Sequence, residues 1–210
     1  MDTSYRDTYI TIEKASEGLY KDKGSKFLSF AYPVHNEDEA NEFIASLRKK
    51  YFDARHHCFA WRLGGEGEHT RAYDDGEPSS TAGRPILGQI LSNQLTNILI
   101  VVVRYFGGTK LGTSGLIQAY KAAAADAIQN NSIIEKTIDI PMTIRFPYEK
   151  MTEVMKIIKN ISPKITGQYI DNFCTIELSV RKASYSPLNK LLGEISDIQI
   201  ESHLKKQSIK

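Results

Sequence analysis

The chain has 210 residues, of which 41% are hydrophobic and 25% charged, with a formal net charge of +2. That composition excludes a disordered chain, and so small a charge does not by itself mark a nucleic-acid binder. The longest apolar run, Ile98 to Val103, ends at Arg104, far short of the roughly 20 residues of a membrane-spanning helix.

The N-terminal segment MDTSYRDTYI carries acidic residues and no apolar stretch, unlike a secretory signal. Extended segments are expected at Tyr9 to Ile12, Ser25 to Val34, His57 to Leu63 and Ile98 to Tyr105, where β-branched and aromatic side chains gather. Asn36, with Glu39 three residues on, predicts a capped helix whose apolar stripe is Ala40, Phe43, Ile44 and Leu47. A second helix should follow Thr81. A third should run from about Gly112 to Ile128 and end at Asn130-Asn131. Residues 130–136 read as a short linker. Cys58 and Cys174 form no CxxC pair, so neither a disulfide framework nor a cysteine-rich zinc site is expected, and the compartment should be reducing and cytoplasmic.

The remainder gives a cleaner pattern. Thr137 to Phe146 alternates as a strand, and Met151, Val154, Met155, Ile158 and Ile161 recur at helical spacing. Ile165 to Ile170 and Phe173 to Val180 form a hairpin turning at Asp171-Asn172. Ser186-Pro187 predicts the start of another helix, and Asp197 to His203 alternates again. The order βαββαβ is that of a ferredoxin-like domain. The expected class is therefore α+β with two domains, a mixed α/β domain over 1–133 and a ferredoxin-like domain over 137–205. Residues 1–136 carry 16 Lys+Arg against 17 Asp+Glu, and residues 137–210 carry 11 against 8, a tilt that permits phosphate contacts from the second domain.

Two polar segments carry the chemistry. DDGEPSSTAGRP, Asp74 to Pro85, places three carboxylates (Asp74, Asp75, Glu77), three hydroxyls (Ser79, Ser80, Thr81) and Arg84 between a strand and a helix. Such a loop can hold a cation or a polar ligand, although hydroxyls that merely cap the next helix explain part of it. RYFGGTKLGTSG, Arg104 to Gly115, joins an apolar strand to a helix. Its four glycines, Gly107, Gly108, Gly112 and Gly115, allow sharp turns, and the helix start presents amides and a positive dipole end to an anion. Arg104 and Lys110 add charge, with Tyr105, Thr113 and Ser114 as further candidate contacts. The spacing is neither a Walker A loop nor a GxGxxG fingerprint.

Read together, YDDGEPSSTAGRPIL and VVVRYFGGTKLGTSGLIQAY closely resemble the signature segments of the YigZ/Impact family, and HHCFAWRLG is similar to its His-containing strand. Ser80 and Ser114 stand where that family's pattern has glycine. The resemblance implies a first domain similar to a ribosomal-protein-type β-α fold and a second similar to the C-terminal domain of elongation factor G. It also implies a link to translation, since eukaryotic members regulate translation under amino-acid starvation, but no established reaction for bacterial members.

Other signals are weaker. Alternation sets His57, Phe59 and Trp61 on one face of a strand and His56, Cys58 and Ala60 on the other. A buried cysteine with polar histidines is the simplest reading of that strand. Tyr51, Phe52, Trp61, Tyr105 and Phe106 are core aromatics or stacking surfaces for unpaired bases. The leading expectation is a translation-associated regulatory or RNA/ribosome-binding module, using the glycine-rich loop for phosphate and needing no cofactor. Its partners would be RNA, the ribosome or a translation factor, with no membrane. The alternative is a metal-assisted hydrolase or phosphoryl-transfer enzyme acting on a small anion, with Asp74, Asp75 and Glu77 as metal ligands or general base.

Overall fold

A computed structural model describes residues 7–202. They form two compact units, one spanning Thr8–Lys136 and the other running from Thr137 onward and taking in Asp7. Each has its own core. Among the described residues no helix is long and apolar enough to cross a membrane.

In chain order the first unit comprises β1 (Thr8–Ile12), β2 (Ser16–Asp22), β3 (Ser25–Pro33), α1 (Glu37–Lys50), β4 (His56–Leu63), β5 (His69–Tyr73), α2 (Gly83–Ser92), β6 (Ile98–Tyr105), α3 (Gly112–Gln129) and β7 (Ile133–Thr137). Strands β2-β3-β6-β4-β5 make one antiparallel sheet, and β1 pairs with β7. The apolar run of β6 is explained by its central place, because both sheet faces are covered. Ile98, Ile100 and Val102 pack with residues of α2 and α3, while Leu99, Val101 and Val103 pack with residues of α1. Burying each such side chain contributes about 1.5–3 kcal/mol.

Helix α1 starts as expected. Asn36 Oδ1 accepts from the Glu39 amide at 2.8 Å, while the Glu39 carboxylate accepts from the His35 amide at 2.9 Å. Glu37, Asp38 and Glu39 sit in its first turn and Arg48, Lys49 and Lys50 in its last, an arrangement that suits the helix dipole. The expected linker instead holds β7, and β2 and β5 are further strands that the apolar pattern does not announce.

The second unit contains β8 (Asp139–Phe146), a 3₁₀ turn (Tyr148–Lys150), α4 (Met151–Ile161), β9 (Lys164–Ile170), β10 (Cys174–Arg181), α5 (Lys182–Gly193) and β11 (Gln199–Ser202). Its antiparallel sheet has the order β11-β8-β10-β9, the ferredoxin-like arrangement read from the sequence. Ile140, Met142, Ile144 and Phe146 are buried while their alternate neighbours are not, which is the period of two that identified the strand. One boundary differs. Helix α5 begins at Lys182, so Pro187 lies inside it rather than at its first position; Tyr185 belongs to this earlier turn, packs on the core and donates to Ser202 Oγ at 2.7 Å. His203 lies outside the described residues.

Candidate functional site

The acidic turn between β5 and α2 is built around its carboxylates, and each has a protein partner. Asp74 Oδ1 accepts from the amides of Ala82 (3.0 Å) and Gly83 (2.8 Å), and Oδ2 accepts from Ser80 at 2.8 Å. Asp74 therefore caps α2 from eight residues upstream, a role the sequence suggested for the hydroxyls. Those do something else. Thr81 Oγ1 donates to the Pro78 carbonyl at 2.6 Å, and Ser79 is exposed. Asp75 Oδ1 accepts from Arg48 of α1 at 2.6 Å, and its Oδ2 accepts from the His57 amide at 2.6 Å.

Glu77 is the buried member. Its Oε1 accepts from Arg104 Nη1 of β6 at 2.6 Å and from the Tyr120 hydroxyl of α3 at 2.8 Å. The side chains of Glu77 and Arg104 are only 4% and 7% exposed, so their charges meet with little screening by water. The Arg104 guanidinium also lies near two rings, 5.3 Å from the Phe27 centroid and 5.7 Å from that of Phe106. Cys58 Sγ sits 2.9 Å from the Asp74 carbonyl and 3.3 Å from the Tyr120 hydroxyl. Burial pushes the Cys58 thiol far above its ordinary range, and burial does the same to the Tyr120 hydroxyl. Cys58 is thus held as a thiol rather than a nucleophilic thiolate.

His56 completes this group. Strand β4 pairs His56 with Arg104 in register and turns both toward the α2/α3 face. His56 Nδ1 lies 2.9 Å from the Asp75 carbonyl, and Nε2 lies 3.9 Å from Glu77 Oε1. His57 points to the other face, as alternation requires. Its ring is buried, and burial, followed by the charge of Arg48, lowers its pKa.

The glycine-rich turn starts beside this cluster and leaves it. The Gly107 amide donates to Ser25 Oγ at 3.1 Å, which pins the turn to the β2–β3 connection. Gly108 and Gly112 take φ of 89° and 71°, in the left-handed region that glycine tolerates. Lys110, Thr113 and Ser114 are exposed, and among the described residues no side chain is seen capping the start of α3. The first-turn amides of α3 consequently keep their donors for solvent or a ligand.

The structure therefore divides the residues singled out by sequence into four places. Asp74, Asp75, Glu77, Thr81 and Arg104 belong to the polar cluster, joined by His56, Cys58 and Tyr120, whose contribution the motifs did not reveal. Gly107, Gly108, Lys110, Gly112, Thr113 and Ser114 form the exposed approach to α3, and Ser79 and Arg84 are exposed on the other turn. The two turns share the Glu77–Arg104 pair. Tyr120, however, lies about 12 Å along α3 from its start, so the open amides and the buried carboxylate are separate neighbourhoods. Tyr105 falls elsewhere. It packs with the α1-side core and its hydroxyl donates to Asp53 at 2.7 Å, because alternation along β6 sends it to the face opposite Arg104. That bond to Asp53 is the first cause of its pKa being pushed up to about 12.

A family model, the Impact N-terminal domain, matches residues 23–128, which include the whole cluster and the start of α3. The chain belongs to the Impact family. Its similarity to the Impact family member YigZ of Escherichia coli is 31% identity over 176 residues, 83% of this chain and 86% of that protein. To the Impact family member YvyE of Bacillus subtilis it is 37% over 131 residues, covering 62% and 60% of the two chains. A crystal structure of a protein described only as hypothetical superposes with a TM-score of 0.73 at 28% identity, covering 93% of this chain and 97% of the other.

Proposed function

We propose that this Impact-family chain is a non-enzymatic, translation-associated module of the cytoplasm that holds RNA phosphate at the start of α3. The supporting observation is the uncapped, exposed first turn of that helix, presented by Gly108 and Gly112 next to exposed Lys110. Free amides and the positive dipole end suit a phosphate oxygen, and a lysine adds a point charge. The family resemblance supplies the connection to translation. Arg104 has no phosphate-binding part in this reading, because Glu77 already neutralises it. The metal-assisted alternative has no comparable support: its three carboxylates would have to leave the amides of α2, Arg48 and Arg104 to become ligands.

The test is salt-dependent retention of single-stranded RNA. Binding should weaken steeply with salt, and Lys110→Ala should reduce the log–log slope by about one phosphate equivalent. Ser114→Asp should be more informative. A carboxylate in the first helical turn stabilises the helix by about 0.3–1 kcal/mol while occupying the anion position, so the variant should melt higher yet bind RNA more weakly. Unchanged retention in both variants would sink the proposal.

A further inference from the structure

The polar cluster leaves two acceptors facing each other. A carbonyl oxygen cannot donate, so the 2.9 Å contact with the Asp75 carbonyl places a hydrogen on His56 Nδ1. In the neutral ring Nε2 is then a bare lone pair. Opposite it, 3.9 Å away, is Oε1 of the Glu77 carboxylate. Both hydrogen bonds that Glu77 receives from side chains, those of Arg104 and Tyr120, end on Oε1, and Oε2 receives none among the described residues. Lone pair against carboxylate is an unfavourable pairing unless something with hydrogens to give lies between them. The His56 side chain is 20% exposed and that of Glu77 only 4%, so a group arriving from outside meets the pair over the His56 ring.

From this geometry we infer that the niche between His56 and Glu77 receives a ligand group bearing two N–H donors, the exocyclic amino group of an unpaired base. This rests on the RNA reading given above, and adds to it a position where the base is read. One N–H meets His56 Nε2 and the other meets Glu77, each at about 2.9 Å. The charge balance favours a neutral donor over a cation. Glu77 is already matched by Arg104 and Asp75 by Arg48. Cytosine carries such an amino group, whereas uracil places a carbonyl oxygen at the same ring position and would bring a third acceptor to the other two. The separation from the start of α3, about 12 Å along the helix, lets one strand place a phosphate there and a neighbouring base here.

The experiment compares oligo(C) with oligo(U), each of about ten nucleotides, a length suited to a single-stranded site. Ring size and phosphate number are equal, so only the edge of the base differs. The full chain should bind oligo(C) at least about tenfold more tightly than oligo(U), and His56→Ala, shown to be folded by its melting curve, should remove that preference while still retaining both. Should His56→Ala fail to fold, the histidine ¹⁵N spectrum of the unmodified chain replaces it: oligo(C), and not oligo(U), should move the His56 Nε2 resonance. Equal affinity for the two oligonucleotides would overturn the inference, leaving water or a proton as the occupant of the niche and the phosphate site untouched. A preference that survives in folded His56→Ala, or an Nε2 resonance indifferent to oligo(C), would overturn it too. Retention of neither oligonucleotide at low salt would remove the RNA reading itself, and this inference with it.

Discussion

Ser80 holds a backbone φ of 64°, where an L side chain costs about 1 kcal/mol and glycine costs nothing steric. The resemblance to the family's signature segment implies a glycine there, and the backbone gives that expectation a physical reason. Ser80→Gly should stabilise the first unit by up to about 0.5 kcal/mol after allowing for the greater freedom of glycine in the unfolded chain, raising its melting midpoint by about 1–2 °C. A lower midpoint would show that the serine is held by something other than its backbone. Ser114, the second departure, lies within α3 and is not among the described residues of positive φ, so no such gain is expected there. Alternation alone sorted His56 and Cys58 from His57, Phe59 and Trp61, since a strand's side-chain direction is local geometry. The partners of Asp74 and Glu77 were not readable. Asp74 caps a helix start eight residues away, and Glu77 meets Arg104 and Tyr120 across 27 and 43 residues of chain. Such pairings come from the packing of β6 and α3 and leave no periodic trace.

The turn that feeds α3 owes its position to a close backbone approach. A Cβ on Gly107 would come within 1.9 Å of the Gly24 carbonyl carbon and 2.1 Å of the Ser25 amide nitrogen, contacts with main chain that cannot rotate away. Gly107→Ala should therefore lift the turn from the β2–β3 connection, break the bond to Ser25 Oγ, and reduce RNA retention several-fold while the melting midpoint of the second unit stays fixed. Wild-type retention in this variant would show that the turn's placement does not matter for binding. Helices α1, α2 and α3 and the strands β3, β4 and β6 were legible because each buries an apolar stripe or run. The strands missed are those with little to bury: β2 alternates between intermediate and exposed, and β5 is exposed throughout. Edge strands of this kind depend on a neighbour's hydrogen bonds rather than on their own side chains. The start of α5 was misplaced for a related reason. Ser-Pro imitates a helix opening, but Tyr185 extends the apolar contacts of the helix by a turn.

Each unit closes around a separate hydrophobic core, one formed on both faces of the five-stranded sheet and one between the four-stranded sheet and helices α4 and α5. The ferredoxin-like order was readable because five of its six elements alternate or repeat with a clear period, while β9, exposed almost throughout, was marked by the Asp171-Asn172 turn that follows it. The first unit's strand order was not, since antiparallel neighbours far apart in sequence share no local signal. Cys58 lies in one core and Cys174 in the other, both fully buried. A thiol reagent can reach either sulfur only after its own surroundings open, so the chain carries two native stopwatches. Pulsed alkylation read by mass spectrometry should give two distinct labelling rates that respond separately to denaturant, and a shared rate throughout would mean that the halves come apart in one step. The same seclusion spares both sulfurs from sulfenic and sulfinic chemistry while the fold is intact, so peroxide should mark the unfolded population and pass over the native one.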